Sequence, residues 1–128
     1  MRCILIYLDT HVVVWLYAGL VENFSRPVRD LINENEMRIS PIIRLELQYL
    51  YETQRITVEA NVIVADLSNR LGLHVCDKLF NSIVDQAVLV KWTRDPFDRL
   101  IVGNAQLGQD ILITKDRNIR QHYPHANW

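Results

Sequence analysis

The stretch ILIYLDTHVVVWLYAG, residues 4–19, decides the fold class. Ile4 to Leu8 is a short run of strand-forming residues without the alternation of a half-exposed strand. Asp9-Thr10 breaks that run. The apolar residues from about His11 to Ala18 then fit a helix, closed by Gly19 at its C-terminus. The unit is strand, polar turn, helix.

Moving outward, the same unit recurs. Ser25 to Glu36 supplies an N-cap serine, an early proline and Val28, Leu31 and Ile32 on one helical face. Met37 to Ser40 is a second short strand, and Ser40-Pro41 is a cap followed by an N1 proline that opens a helix through IIRLELQYLYE. Val58, Val62, Ile63, Ala65 and Leu67 predict a helix over Thr57–Arg70, ended by Gly72, with a third strand at Leu73 to Cys76. Asn81 to Trp92 reads as helical, Asp95-Pro96 caps and opens a helix to about Gly108, and Ile111 to Thr114 is a fourth strand. Short strands with little alternation, separated by helices, indicate a sheet buried on both faces. The expected architecture is α/β, a three-layer α/β/α sandwich with a short central parallel sheet, in one domain spanning residues 1–128.

Composition agrees with a single soluble domain: 128 residues, 49% hydrophobic, 23% charged. Folding at this length buries roughly two-thirds of the unfolded surface, enough for a core without disulfides or structural metal. Cys3 and Cys76 lie far apart inside apolar runs, so they read as buried thiols of a reducing cytoplasm and not as a zinc clip or a secreted framework. Asp9, Thr10 and His11 interrupt the apolar start, which argues against a signal peptide. No uncharged run approaches the roughly 18 residues of a membrane span.

The acids carry the chemistry. In parallel sheets ligands bind beyond the carboxyl ends of the strands. Asp9 follows the first strand directly, and Asp116 follows the fourth by two residues. Glu46 lies about one and a half turns into the helix opened by Pro41, and Asp98 stands at N3 of the helix capped by Asp95. Each has a plain structural alternative. Asp9 and Asp116 can be helix caps, Asp98 can be an acid favoured by the helix dipole, and capping is the preferred reading of Asp95. Glu46 sits among Ile42, Ile43, Leu45, Leu47 and Leu50, where a carboxylate needs a partner. Clustered carboxylates generally imply a cation, and an all-oxygen set suits Mg²⁺ or Mn²⁺, ions that bind substrate phosphates. The net charge of −1 ordinarily argues against nucleic acid. Removing these four from the 15 acids leaves 11 against 14 basic residues, and the objection falls away.

The segments LDTHVVVWL, SPIIRLEL, RDPFDRLIVGNAQ and ILITKD, in that order, resemble the PIN domain, and specifically VapC-type toxins of bacterial toxin-antitoxin pairs. The resemblance covers nearly the whole chain. It implies an endoribonuclease in which Asp9, Asp98 and Asp116 hold the metal, Glu46 completes the acidic set, and a metal-activated water hydrolyses the RNA. It further matches Thr10 and Thr114 to polar residues beside the first and last acids, and implies a small antitoxin that covers the groove, a homodimer and a cytoplasmic location. Arg44, Arg94, Arg99, Lys115 and Arg117 are candidates for RNA phosphate contacts, with solvated surface charge as their plain alternative. Trp15, Tyr49 and Tyr51 can stack on bases, although such spacing more commonly serves core or interface. Val13, Trp15 and Leu16 are read as exposed apolar residues for a dimer or an antitoxin. The histidines at 11, 74, 122 and 125 show no metal-ligand spacing and are given no catalytic role.

Two rival classes remain. A phospho-acceptor or phosphatase fold also sets an Asp after its first strand, and Thr114-Lys115 echoes it, but it leaves Glu46 and Asp98 without work. A non-catalytic PIN-like module that binds RNA or protein is separated from the nuclease by whether metal binds.

Overall fold

The computed structural model describes residues 4–128. In chain order the elements are β1 (Leu5–Leu8), α1 (Thr10–Ala18), a 3-10 turn (Val21–Asn23), α2 (Arg26–Glu34), β2 (Glu36–Ile39), α3 (Pro41–Glu52) and α4 (Ala60–Leu71). There follow β3 (His74–Val75), α5 (Phe80–Val88), α6 (Pro96–Gly108), β4 (Ile111–Ile113), α7 (Arg117–His122) and β5 (Ala126–Asn127). The strands form one parallel sheet in the order β3-β2-β1-β4-β5. Successive strand residues face opposite sides, and Ile6, Tyr7 and Leu8 are 0%, 2% and 0% exposed, so both faces of the central strand are covered. The α/β sandwich expected from the sequence is the fold observed.

Local chemistry places the helix starts. Asp9, Ser25, Ser40, Asp95 and Asp116 each accept a backbone N–H at an N-cap, and proline stands in the first turn of α2, α3 and α6. Helix ends depend more on partners. Where a helix was expected from Thr57, α4 starts at Ala60, because its first N–H is taken by the Gln48 side chain of α3 at 3.2 Å and Glu59 makes no cap bond. The helix expected to reach Trp92 stops at Val88, where Arg99 of α6 donates to the carbonyls of Ala87 and Val88 at 3.2 Å. The second strand begins at Glu36 and leaves Ser40 as a cap, and β3 is two residues long. The 3-10 turn and β5 were not foreseen. Both are too short to carry a periodic signal.

Helices α5 and α6 approach closely at Gly103. A Cβ there would stand 2.8 Å from Ala87 N and 3.0 Å from Ile83 O, both backbone atoms. Val13, read above as exposed, is fully buried, and Trp15 and Leu16 are partly buried against the core. The cause is that α1 is apolar on nearly every side and lies against α3 and α4, so most of its surface is covered. Cys76 is a buried free thiol that accepts a hydrogen bond from the Tyr7 hydroxyl at 3.2 Å. Cys3 lies outside the described residues. Among the described residues no helix is long and apolar enough to cross a membrane.

Candidate active site

The strand order places the site. From β1 the chain builds β2 and β3 on one side, then returns to lay β4 on the other, and such a reversal opens a crevice at the carboxyl ends. Leu8 pairs with Ile113, so the residues that follow, Asp9 and Thr114, come side by side. Asp9 N donates to Ile113 O at 3.0 Å. The fully buried Thr114 hydroxyl donates to Asp9 Oδ2 at 2.6 Å, while Asp9 Oδ1 caps α1 by accepting from Thr10 N at 2.8 Å. Both oxygens of the carboxylate are thus oriented.

Thr10, 1% exposed, donates its hydroxyl to Glu46 Oε1 and so ties α1 to α3. Asp98 stands in the first turn of α6, behind the cap that Asp95 makes to Phe97 N at 2.8 Å and Asp98 N at 3.4 Å. Asp116 caps α7 by accepting from Ile119 N at 3.0 Å, and its own N–H donates to Thr114 Oγ1 at 3.1 Å. Asp9, Glu46, Asp98 and Asp116 line one cavity of about 420 Å³, with His11 and Lys115 at its walls. The capping alternatives weighed for Asp9, Asp95 and Asp116 are therefore realised in the geometry. For all three they coexist with a place in the cavity, which Asp95 also lines.

Electrostatics sets this cavity apart. Desolvation first, then the negative charges of Asp95, Asp9, Asp116 and Glu46, push Asp98 up to about 7. Burial also raises Asp9, against the opposing hydrogen bonds from Thr114 and Thr10. Glu46 is raised by burial too, with the Thr10 bond opposing and Asp9 adding to it. No ion pair among the described residues involves any of the four. The donor set, oxygen only and mutually repelling, fits a hard divalent cation in its chemistry. The side chains are not preassembled: no three His, Cys, Asp or Glu groups among the described residues stand ready to close on one ion.

The basic candidates scatter. Lys115 lines the acidic cavity and lies 5.9 Å from the ring centres of both Trp15 and Trp128. Arg94 lines a second, larger cavity of about 780 Å³ that adjoins the first and shares His11, Trp15, Glu46 and Asp95 with it. Arg44 donates to Asn61 at 3.4 Å in a separate groove, and Arg117 is exposed at the start of α7. Arg99 is engaged with the end of α5, as described above. Trp15 packs edge-on to Trp128 at 5.6 Å, whereas Tyr49 is 46% exposed. Several cavity residues were not singled out from the sequence, among them His11, Arg55 and Phe97. His11 lines both cavities, and its place directly after Asp9-Thr10 was a signal. Arg55 gave none, because it follows α3 in a stretch without a motif.

Comparison with known proteins agrees with the architecture. Ribonuclease VapC22 of Mycobacterium tuberculosis is 29% identical over 120 residues, covering 91% of each chain. Among solved structures, VapBC2 from Rickettsia felis bound to a DNA fragment from their promoter superposes with a TM-score of 0.69 at 17% identity, covering 98% of this chain and 99% of that one. DNA-bound VapBC from Salmonella typhimurium gives 0.65 at 20% identity, with 97% and 96% covered. A toxin-antitoxin complex from Klebsiella pneumoniae gives 0.63 at 16%, with 95% of each covered. At such identities these structures speak for the shared fold. A sequence model of the PIN domain matches residues 6–123, which runs from within β1 through α7 and takes in all four acids, and the chain belongs to the PIN domain family.

Proposed function

We propose that the chain is a divalent-metal-dependent endoribonuclease acting as the toxin of a toxin-antitoxin pair. One observation carries the reading: Asp9, Glu46, Asp98 and Asp116 converge from four separate segments on one cavity, and none has an ion-pair partner among the described residues. The similarity to a protein named as a ribonuclease supports RNA as substrate. The fold shared with toxin-antitoxin complexes supports a small antitoxin partner that covers the groove. A homodimer and a cytoplasmic setting belong to the same reading.

Asp9, Asp98 and Asp116 would hold Mg²⁺ or Mn²⁺. Such a cation, when bound, supplies Lewis acidity, acidifying water and offsetting charge on phosphate oxygens. The chain's own residues do the rest. Thr114 fixes Asp9 and Thr10 fixes Glu46, so two carboxylates are oriented before substrate arrives. Glu46 accepts a hydrogen bond from the attacking water and aims it at the phosphorus. Water oxygen bonds to phosphorus as the bond to the leaving nucleoside oxygen breaks, the Glu46 carboxylate takes up the proton the water sheds, and the leaving oxygen is protonated from solvent. Lys115 meets the substrate's phosphate charge.

The test is cleavage of a labelled structured RNA with Mg²⁺ or Mn²⁺, beside an EDTA control and the Asp9→Asn and Asp98→Asn variants. Cleavage by the unaltered protein alone is the expected result, and undiminished cleavage in EDTA or in both variants would contradict it. A second reading, a non-catalytic PIN-like binding module, draws on the absence of a preassembled three-ligand group among the described residues. RNA binding without cleavage and without metal binding would favour it.

A further inference from the structure

The larger cavity has a different chemistry from the acidic one it adjoins. Its walls carry Trp15, Tyr49 and Phe97 together with Arg55 and Arg94, while its two carboxylates, Glu46 and Asp95, are those it shares with the acidic cavity. Tyr49 is 46% exposed, and its ring centre lies 6.1 Å from that of Phe97 with planes 32° apart, an aromatic shelf with an open face. Arg55 and Arg94 are exposed, and among the described residues neither guanidinium makes an ion pair or a hydrogen bond. Arg55 is also delivered there at a conformational cost. Gln54 stands at φ 63°, the left-handed region that side-chain-bearing residues rarely adopt, and the turn is held by Arg55 N donating to Leu50 O at 2.8 Å. Directly after this turn, Arg55 and Ile56 line the groove.

Unpaired guanidinia beside an open aromatic face match an unpaired nucleotide, which offers a phosphate for the first and a base for the second. Continuity with the acidic cavity through His11, Trp15, Glu46 and Asp95 fixes which nucleotide that is. We infer that this groove is the subsite for the nucleotide next to the scissile phosphate, its base stacked on Tyr49 and Phe97 and its phosphate held by Arg55 and Arg94. The inference rests on the nuclease reading and adds to it the residues of this chain that hold one unpaired base and its phosphate beside the acids.

The experiment uses the full chain and two oligoribonucleotides, one unpaired at the cut site and one carrying an abasic residue next to it. Cleavage kinetics and fluorescence anisotropy are measured on both. Tyr49→Ala should raise KM about tenfold with kcat within about twofold, in keeping with one lost stacking contact. The abasic RNA should cost the unaltered protein about the same factor and cost Tyr49→Ala nothing more, a coupling that a merely structural tyrosine would not produce. Arg55→Ala should raise KM and lower the salt dependence of binding by about one unit of slope. A normal KM in both variants, or the full abasic penalty persisting in Tyr49→Ala, overturns the subsite and leaves the groove to a protein segment. If the chain binds these RNAs but cuts neither, the nuclease reading fails, and the anisotropy values alone decide the subsite by the same comparison.

Discussion

Two polar clusters flank the central strand, and they are built on opposite rules. In one, Lys78 Nζ donates to Asp110 Oδ2 at 2.7 Å and to Asn104 O at 2.9 Å, and lies 4.7 Å from the ring centre of Tyr7. Tyr123 closes the group by donating to the Asp110 carbonyl at 2.6 Å. Its one carboxylate has its own cation. In the other, five carboxylates (Asp9, Glu46, Asp95, Asp98 and Asp116) line a cavity, and their only close partners are hydroxyls and backbone N–H groups. A half-buried charge that is compensated serves the fold. A group of like charges left uncompensated destabilises it, and is retained where it binds something.

The sharpest way to break this contrast is to neutralise one acid in each cluster. Asp9→Asn should lower RNA cleavage by more than about 100-fold, beyond what loss of an outer-shell partner costs, measured as kcat/KM on one substrate. Asp110→Asn should leave the cleavage rate of the folded protein within about twofold. Next in size is Lys78→Met, which strands Asp110 in a mostly buried setting. Urea unfolding should show a loss of about 2–3 kcal/mol without a change in metal affinity. Thr114→Val removes the hydroxyl that orients Asp9 and should weaken Mn²⁺ binding about tenfold, read by titration calorimetry. The smallest effect has the opposite sign. Asp98→Asn should stabilise the metal-free protein by about 1 kcal/mol, allowing for solvent screening, because it removes one charge from a self-repelling set. Urea unfolding in EDTA checks it, and a loss of stability would place Asp98 with the compensated cluster.

The same contrast separates what the amino-acid sequence alone makes legible from what packing decides. Asp9, Asp98 and Asp116 were legible because local rules point to them: an acid directly after a strand, or in the first turn of a capped helix, projects at the same sheet edge whatever the packing. Glu46 stood out through its apolar neighbours. Its partner did not, since the bond from Thr10 joins residues far apart in sequence. The same limit governs the fold. The starts of α2, α3 and α6 follow from Ser25, Ser40 and Asp95 with a proline in the first turn, all local signals. The start of α4 and the end of α5 depend on Gln48 and Arg99, which belong to other helices. Arg99 shows the cost of arguing from sequence proximity to the acids, because its guanidinium is occupied by α5 carbonyls. Arg55 shows the converse. Only the left-handed turn at Gln54 brings it to the groove, and glutamine gives no sign of such a turn.

The central claim, that the uncompensated carboxylates are a cation site, is tested most directly by calorimetric titration of Mn²⁺ into the unaltered chain, Asp9→Asn and Asp110→Asn at one pH. Saturable binding to the unaltered chain and to Asp110→Asn, lost in Asp9→Asn, is the result this account predicts. Absence of binding to the unaltered chain, or binding that survives Asp9→Asn unchanged, would contradict it.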